Sequence, residues 1–545
     1  MQRIWPIILI LCLFVSSAYA DTALNAPPED RVYHDIDILI AHGLVKDVII
    51  GQRPYSRAEV ARIISCARNK LGEKPSASKK ISRFLYLDRL LAHYEKEYEA
   101  ELLNLREGLS AEALQRLEFN LLGNSSRPRL VPQNNNQGGI DAEITSFNKY
   151  KQGLQFANGA NYFISTKHNL YLSRYFAFTA EPRFEFDSDR SEARIHRLYA
   201  KGGWHNIELE AGRDNILWGQ SEFGGVMLSA NARPLDMVKI SNASPWQAPW
   251  IFKYLGHMKA TFFVSTLGPE REFKNTYFYG AKWTLIPLSF FELGVSHTIM
   301  MGGDGAPNAS FWDPLTELFP FHKWGSGNIN ASNVANNAFG FLDLRITIPP
   351  LRGSVVYFDE YIEDSIVRAF RLGKNYFNQA AFITGLYSPR LTDSGSLGLR
   401  LEYHHTAPLT YRHGIWASGY ALNRTVIGDA LGPDADGIYS TLYWRPNAGC
   451  AGRLELAFED YDSSTYYTQT NASGGGDKIL KAVSMTHERR YRGITGIDIK
   501  AAKRIGFKFE GGYERIENWN FSAGNSVNNW LFSTAVSLYF DEFNL

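Results

Sequence analysis

The densest group of side chains that could do chemistry lies between Ala211 and Trp246, where Gly, Trp, Asn and Ser residues crowd together. An indole in this stretch would stack on a sugar ring. The guanidinium, carboxylate and amide groups of the same stretch would hydrogen-bond hydroxyl or carboxylate oxygens. The candidate ligand-binding residues are Arg213, Asp214, Trp218, Asn231 and Arg233. The same residues would also build a packed constriction without a ligand, and the sequence leaves both interpretations open.

Three histidines further along the chain suggest a metal site, but their spacing argues against one. His404 and His405 are adjacent, and neighbouring residues of a strand point to opposite faces, so the two imidazoles do not converge on one site. We predict that His404, His405 and His413 are rim residues, and that the chain holds no metal and no cofactor. The Asp434–Asp436 stretch lacks the further ligands of a calcium loop and favours a tight turn.

Motifs for catalysis are absent from the sequence, which has no G-x-S-x-G elbow and no H-E-x-x-H helix. Four charged residues alternate with apolar ones and would face a lumen: Arg400, Glu402, Arg453 and Glu455. The glutamates would serve as catalytic carboxylates, or the four charges would serve as selectivity residues or as a cross-strand ion-pair lattice. The lattice is favoured. We predict that the chain is not an enzyme, while a Ser and His site assembled from separate strands stays open.

These charges belong to segments whose apolar residues recur with a period of two, as in residues 397–404, 453–458 and 505–510. Such alternation predicts strands with one apolar and one charged face. The stretch from Trp530 to Phe540 alternates over eleven residues, and a transmembrane strand needs about 9–11.

An export signal helps to decide between a soluble sandwich and a membrane barrel. Arg3, an apolar stretch from Ile4 to Val15 and the Ala18-Tyr19-Ala20 site form a secretory signal peptide, residues 1–20. The remaining chain has no second long apolar run, so it would cross a membrane only as a closed barrel. Residues 111–545 are also too long for one sandwich of about 100 residues.

The predicted fold is therefore mainly β: a large transmembrane antiparallel β-barrel, with a small N-terminal α-helical bundle over residues 21–110. At about 20–25 residues per strand and loop, the barrel would have about 16–20 strands. Three helices are predicted over Arg31–His42, after Ser56 and over Lys79–Arg106, the second opened by a capping box from Ser56 to Glu59. In an outer-membrane protein this bundle would be periplasmic. The irregular Ala211–Trp246 stretch would fold inward, because irregular backbone is not tolerated against lipid.

Composition excludes some partners. The 57 Lys and Arg residues balance 56 Asp and Glu residues, which argues against nucleic-acid binding. After the signal peptide only Cys66 and Cys450 remain, so there is no disulfide framework, and whether the two pair is left open.

Several segments, in order, resemble the Wzi-like capsule-assembly family of outer-membrane barrels. The similar segments are Arg53–Val60, Gly212–Gly219, Ser229–Pro234, Leu401–Thr406, Tyr411–His413, Gly419–Tyr420 and Leu431–Asp436. The resemblance implies a cell outer-membrane barrel that attaches or assembles a capsular or extracellular polysaccharide by non-catalytic glycan binding. Its partners would be that surface polysaccharide and outer-membrane lipid.

The alternative function is a porin-like diffusion channel for small solutes, favoured by the strand count and the charged inner faces. The sequence leaves the state of the lumen, open or plugged, and the oligomeric state undetermined.

Overall fold

The structure is a computed structural model that describes residues 24–73, 81–103, 108–132, 138–188, 190–307, 313, 336–363, 380–462, 465–469, 478–482, 486–502, 504–540 and 543–544. The predicted signal peptide, residues 1–20, lies outside the described residues.

Eighteen long antiparallel strands within the described residues form a closed barrel. In chain order they are β1 (Ser110–Asn124), β2 (Gly159–Ser173), β3 (Phe176–Phe186), β4 (Ser191–Trp204), β5 (Ile207–Asp214), β6 (Leu235–Asn242), β7 (His257–Thr266), β8 (Tyr277–Leu288), β9 (Phe291–Met301), β10 (Asn336–Ile348), β11 (Ser354–Glu363), β12 (Ala380–Ser388), β13 (Leu397–Thr406), β14 (Ala435–Asn447), β15 (Cys450–Tyr461), β16 (Glu488–Ala502), β17 (Ile505–Glu517) and β18 (Ser526–Tyr539). The first and last strands pair through Phe119 and Val536, which closes the sheet. The predicted barrel is confirmed, and its strand number falls within the predicted range.

The wall follows the alternation that the sequence shows. On β15, Leu454 and Leu456 are 43% and 54% exposed on the outer surface, whereas Glu459 is fully buried on the inner one. Apolar residues face outward because lipid surrounds such a wall, and charges face inward where protein or water solvates them.

The two ends of the barrel differ in their connections. At one end, called here the short-turn end, residues 174–175, 205–206, 289–290 and 448–449 link consecutive strands. At the other, called here the long-loop end, the connections include residues 125–158, 215–234 and 407–434.

Four helices precede the barrel in the part of the chain that the structure describes: α1 (Val32–Ala41), α2 (Arg57–Gly72), α3 (Ile81–Glu97) and α4 (Glu99–Leu102). Ser56 caps α2 as predicted, since its hydroxyl accepts from the Glu59 N–H at 3.2 Å. The Glu59 carboxylate bonds Arg62 at 2.7 Å. The single helix predicted over 79–106 is wrong in one respect: it breaks at Tyr98, whose buried ring lies 4.3 Å below the Arg57 guanidinium.

The helices pack at the short-turn end, where Arg31 donates to the Asn447 carbonyl at 2.7 Å. No helix among the described residues is long and apolar enough to span a membrane. Both cysteines left open by the sequence, Cys66 and Cys450, are free thiols.

Two extended segments, residues 24–30 and 50–56, leave the helices and enter the barrel. Backbone passes so close to the wall at Gly51 that an added Cβ would lie 2.6 Å from Asp343 Oδ1 and from Gln220 Nε2. Beside it, Gln52 and Arg53 pair with Trp218 and Leu217 as a short antiparallel ladder. The N-terminal part of the chain therefore reaches the loops that enter from the opposite end.

Candidate functional site

Three connections at the long-loop end fold into the barrel and form what we call the plug, which comprises the described residues 125–132, 138–158, 215–234 and 407–434. They fold inward because they are apolar: Ile144, Val226 and Leu431 are at most 2% exposed and join wall residues in one buried cluster. Burial of this kind stabilises by about 25 cal/mol per Å² of apolar surface. The prediction that irregular backbone lies inside the barrel thus agrees with the placement of residues 215–234.

Polar contacts tie the plug to the opposite side of the wall. Lys149 Nζ lies 2.5 Å from Glu459 Oε2 of β15. Lys151 Nζ lies 2.8 Å from Glu510 Oε1 of β17. Because the apolar cluster reaches β6 through β14 and these ion pairs reach β15 and β17, the described loops span the interior.

Trp218 is the centre of the apolar part of the plug. Its side chain is 1% exposed, and its ring packs against Phe263 with centroids 5.5 Å apart. Gly280 leaves the space for it, since an added Cβ there would lie 2.9 Å from Trp218 Cη2. No ring face is left for a sugar, so of the two interpretations of Trp218 the packed constriction fits the structure.

Asn231 joins two loops of the plug. Its Nδ2 donates to the Val426 carbonyl at 2.9 Å, and its Oδ1 accepts from the Tyr150 N–H at 3.1 Å. Because donor and acceptor are both engaged and the side chain is buried, Asn231 holds the plug together.

Arg213 and Asp214 are neighbours on β5 with opposite orientations. Arg213 lies on the outer face of the wall, where its guanidinium forms two bonds of 2.8 and 2.7 Å with Asp236. Asp214 faces inward, 2% exposed, and accepts from Asn25 Nδ2 at 2.7 Å. The structure therefore separates these two residues, which the sequence grouped in one site.

Arg233 differs from the other four predicted residues because none of the described residues forms a hydrogen bond or ion pair with it. It is half-buried, and it lines a small cavity with Asn215 and Ile427. An added Cβ at Gly268 would lie 3.5 Å from its Nη2, which places the guanidinium beside the 267–276 connection at the long-loop end.

The four predicted lumen charges all lie inside the barrel, each within an ion-pair network. Arg400 Nη1 donates to the Tyr357 hydroxyl at 3.0 Å, and that hydroxyl donates to Glu402. Arg453 lies 3.6 Å from Glu510. Glu455 lies 3.5 Å from Arg492 of the neighbouring strand β16. This placement matches the lattice interpretation of these charges.

A cavity lies between the plug and strands β13 to β16. Its lining includes Tyr150, Glu222, Glu402, His404 and Arg492. The water-accessible volume is about 40 Å³, and one water needs roughly 10–15 Å³, so the cavity has room for about three waters. A sugar ring does not fit in this space.

An Asp–His pair borders this cavity, and it corrects one prediction. His404 is 3% exposed rather than at the rim, because residues 407–434 fold over it. Its Nδ1 lies 2.6 Å from Asp429 Oδ2, and the Tyr150 hydroxyl donates to Asp429 Oδ1 at 2.6 Å. Burial raises the pKa of Asp429, but the His404 charge lowers it, and the net pKa lies below its usual value.

Glu222, a second carboxylate of the plug, also has a pKa below its usual value. Burial raises the pKa of Glu222, and the charge and hydrogen bond of His34 outweigh it, so the pKa falls to about 2. Glu222 also accepts from Tyr443 on β14. A carboxylate of the plug thus links α1 to the wall.

Among the residues that the structure describes, no group of three or more His, Cys, Asp or Glu side chains is arranged to hold a metal ion.

Sequence reasoning missed Asn25, which connects the N-terminal segment to the wall. Its Nδ2 donates to Glu210 and Asp214, both at 2.7 Å, and its Oδ1 accepts from Lys201 Nζ at 2.6 Å. Its backbone N–H donates to the Tyr199 hydroxyl at 2.9 Å. The partners lie 174 or more residues away, so no local signal could have identified it.

Comparison with known proteins identifies related sequences. The sequence profile of the family "Capsule assembly protein Wzi" matches residues 134–531. A Klebsiella pneumoniae relative, described as an uncharacterized 55.8 kDa protein in the cps region, is 24% identical over 176 residues. That match covers 31% of this chain and spans about a third of the relative, 33%.

The fold also occurs in a solved structure. Escherichia coli Wzi, described as an outer-membrane protein involved in group 1 capsule assembly and a carbohydrate-binding β-barrel, aligns with a TM-score of 0.65 and 16% identity. The alignment covers 95% of this chain and all of that one, 100%. Pseudomonas aeruginosa OccD3 aligns over 80% of this chain and 92% of its own, with 10% identity and a TM-score of 0.43.

Proposed function

This chain belongs to the family of the capsule assembly protein Wzi, and from that premise we propose that it holds a capsular or extracellular polysaccharide at the cell surface by binding it without catalysis. Membership makes it an outer-membrane barrel of capsule assembly. The proposal adds the mode of action: retention of the polymer on the outside of a plugged barrel.

The observation that carries the proposal is the plug. Trp218, Val226 and Leu431 fill the interior with apolar side chains, and the cavity beside them has room for about three waters. A polysaccharide chain does not fit in this cavity. The surface left for glycan contact is therefore the long-loop end.

We also propose an orientation in which the short-turn end faces the periplasm. Outer-membrane barrels have short periplasmic turns and longer extracellular loops, and the same asymmetry occurs here. The helices α1 to α4 would then be periplasmic. The proposed organisation is a signal peptide over 1–20, a helical region over 21–110 and the barrel over 111–545, with residues 24–30 and 50–56 inserted into the lumen.

Within the predicted set, Arg233 is the residue that we propose as a glycan contact. A guanidinium presents several donors in a plane and suits sugar hydroxyls and carboxylates. Arg233 lies at the long-loop end and forms no hydrogen bond or ion pair with the described residues. Trp218 and Asn231 would act through the plug by holding its loops in place, and Asp214 would hold the N-terminal segment through Asn25.

The test measures the split between cell-bound and released polysaccharide in a strain that lacks the gene, complemented with the wild type, Arg233→Ala or Arg213→Ala. Arg213 is a matched control, since it is an arginine at the same end whose charge Asp236 neutralises. We expect deletion to shift polymer into the medium, Arg233→Ala to shift part of it, and Arg213→Ala to behave as wild type. An unchanged split after deletion would contradict retention.

The alternative function, a diffusion channel, predicts that the purified protein conducts ions in planar bilayers. With the plug in place we expect no steady conductance. A variant lacking residues 216–232 would remove Trp218 and Val226 and should conduct. Steady conductance of the wild type would favour the channel.

A further inference from the structure

A short 3-10 segment, Trp250–Leu255, stands out from the barrel at the short-turn end, between β6 and β7. Five of its six side chains are aromatic or aliphatic, and the sixth is Lys253. Trp250 is 81% exposed and Tyr254 is 75% exposed. Large apolar side chains rarely lie in water as a contiguous group without a partner.

The protrusion is fixed by the fold. Trp246 and Gln247 still pair with β7, and the chain leaves the sheet after them. It returns at Gly256, whose φ of +75° and close approach to the wall require glycine, since an added Cβ would lie 1.8 Å from the Ile286 carbonyl oxygen. The Gly256 N–H donates to the Lys253 carbonyl at 3.1 Å, which closes the turn. The segment is thus presented on the outside of the barrel.

Neighbouring turns extend the same surface. Trp204 on one side is 67% exposed, and Leu288, Phe290 and Leu351 on the other are 46–59% exposed. These residues continue the outward apolar face of the wall down to its short-turn edge. Other turns at this edge also expose polar side chains, as at Asp393, whose side chain is 87% exposed.

We propose that Trp250–Leu255 is a lipid anchor that lies in the interface of the membrane leaflet at the short-turn end. Trp and Tyr favour this interface because their rings are apolar and their edges polar. Ile251 and Phe252 would reach the acyl chains, and Lys253 would extend to lipid phosphates. The occupant is lipid rather than protein because the segment is continuous with a wall that lipid already covers. In the proposed orientation this is the periplasmic leaflet, but lipid contact itself does not depend on the polysaccharide function.

The test places an environment-sensitive fluorophore on a single cysteine in the background Cys12→Ser, Cys66→Ser and Cys450→Ser. Phe252→Cys reports on the segment, and Asp393→Cys is the matched control in a polar turn at the same end. Each labelled full-length protein is reconstituted into phospholipid nanodiscs with and without spin-labelled lipids that quench at known depths. Trp250 is kept in both variants.

We expect blue-shifted emission and strong quenching by lipid at position 252, and water-like emission with weak quenching at position 393. Equal, water-like behaviour of both positions would overturn the proposal. Blue-shifted emission without lipid quenching would also overturn it, because a second copy or another protein would then cover the segment. Heat-modifiable migration on gels checks that both variants are folded.

Discussion

Replacing Asn25 by leucine should release the N-terminal segment from the barrel while leaving the barrel intact. Leucine has nearly the same volume but no hydrogen-bonding group, so the change removes three side-chain bonds, to Glu210, Asp214 and Lys201. The backbone bond to Tyr199 remains available.

The expected loss of docking free energy depends on which partners of Asn25 keep another ion pair after the substitution. A hydrogen bond to a charged group contributes about 1.5–3 kcal/mol, and the values are not additive. Glu210 keeps Lys239 at 2.8 Å and Lys201 keeps Glu208 at 3.0 Å. Among the described residues, the one ion pair left to Asp214 is with Arg197 at 3.7 Å. We therefore expect docking of residues 24–30 to weaken by about 3 kcal/mol, which corresponds to roughly 150-fold in the opening equilibrium.

Hydrogen–deuterium exchange of peptides from residues 24–35, in detergent micelles, measures that opening. Exchange of this region should accelerate in Asn25→Leu, while peptides from β1 and β18 exchange as in the wild type. Asn525→Leu, at an exposed turn of the long-loop end, is the matched control. Unchanged exchange over residues 24–35 would refute the reasoning, because it would mean that the Asn25 network does not hold the segment.

Three further outcomes are expected. Trp218→Ala should destabilise the plug by about 3–5 kcal/mol through the cavity it leaves, detected as faster proteolysis of residues 215–234; a proteolysis rate equal to the wild type would contradict its packing role. The denatured mature protein should release two thiols and show no mobility change on reduction, since Cys66 and Cys450 are free; a reducible band shift would show that they pair. Because the folded pKa of Asp429 lies below its usual 3.8, its contribution to plug stability is present above that value and is lost as pH falls through the lower, folded pKa. Asp429→Asn should therefore flatten the acid-induced rise in hydrogen–deuterium exchange of residues 407–434. If the variant keeps the wild-type acid profile, the Asp429–His404 pair is not the cause of the pH dependence.

Much of the fold is encoded locally. Alternation over residues 397–404, 453–458 and Trp530–Phe540 predicts strands with one lipid-facing side, because successive side chains of a strand point in opposite directions. The same parity places Arg400, Glu402, Arg453 and Glu455 inside the barrel, where the structure has them. The capping hydroxyl of Ser56 is also a local feature, and the structure contains it.

The candidate site depends on contacts between residues distant in sequence. Trp218 has the residue type of a sugar platform, but its ring is covered by Phe263 and fits beside Gly280. His404 belongs at a rim if only its strand is considered, and the fold of residues 407–434 buries it. In both cases side-chain chemistry is visible in the sequence, while solvent access is not.

By itself, the sequence determined a mainly β chain whose strands have one apolar and one charged face, it predicted a signal peptide, and its motifs pointed to the right family. Only the tertiary structure decided that the lumen is filled, that Arg213 faces outward while Asp214 faces inward, and that Asn25 binds a wall 174 or more residues away. The physical reason is that periodicity acts over a few residues, where backbone geometry fixes the direction of each side chain. Burial and pairing inside a closed barrel instead depend on which loops enter it and which distant strands they meet.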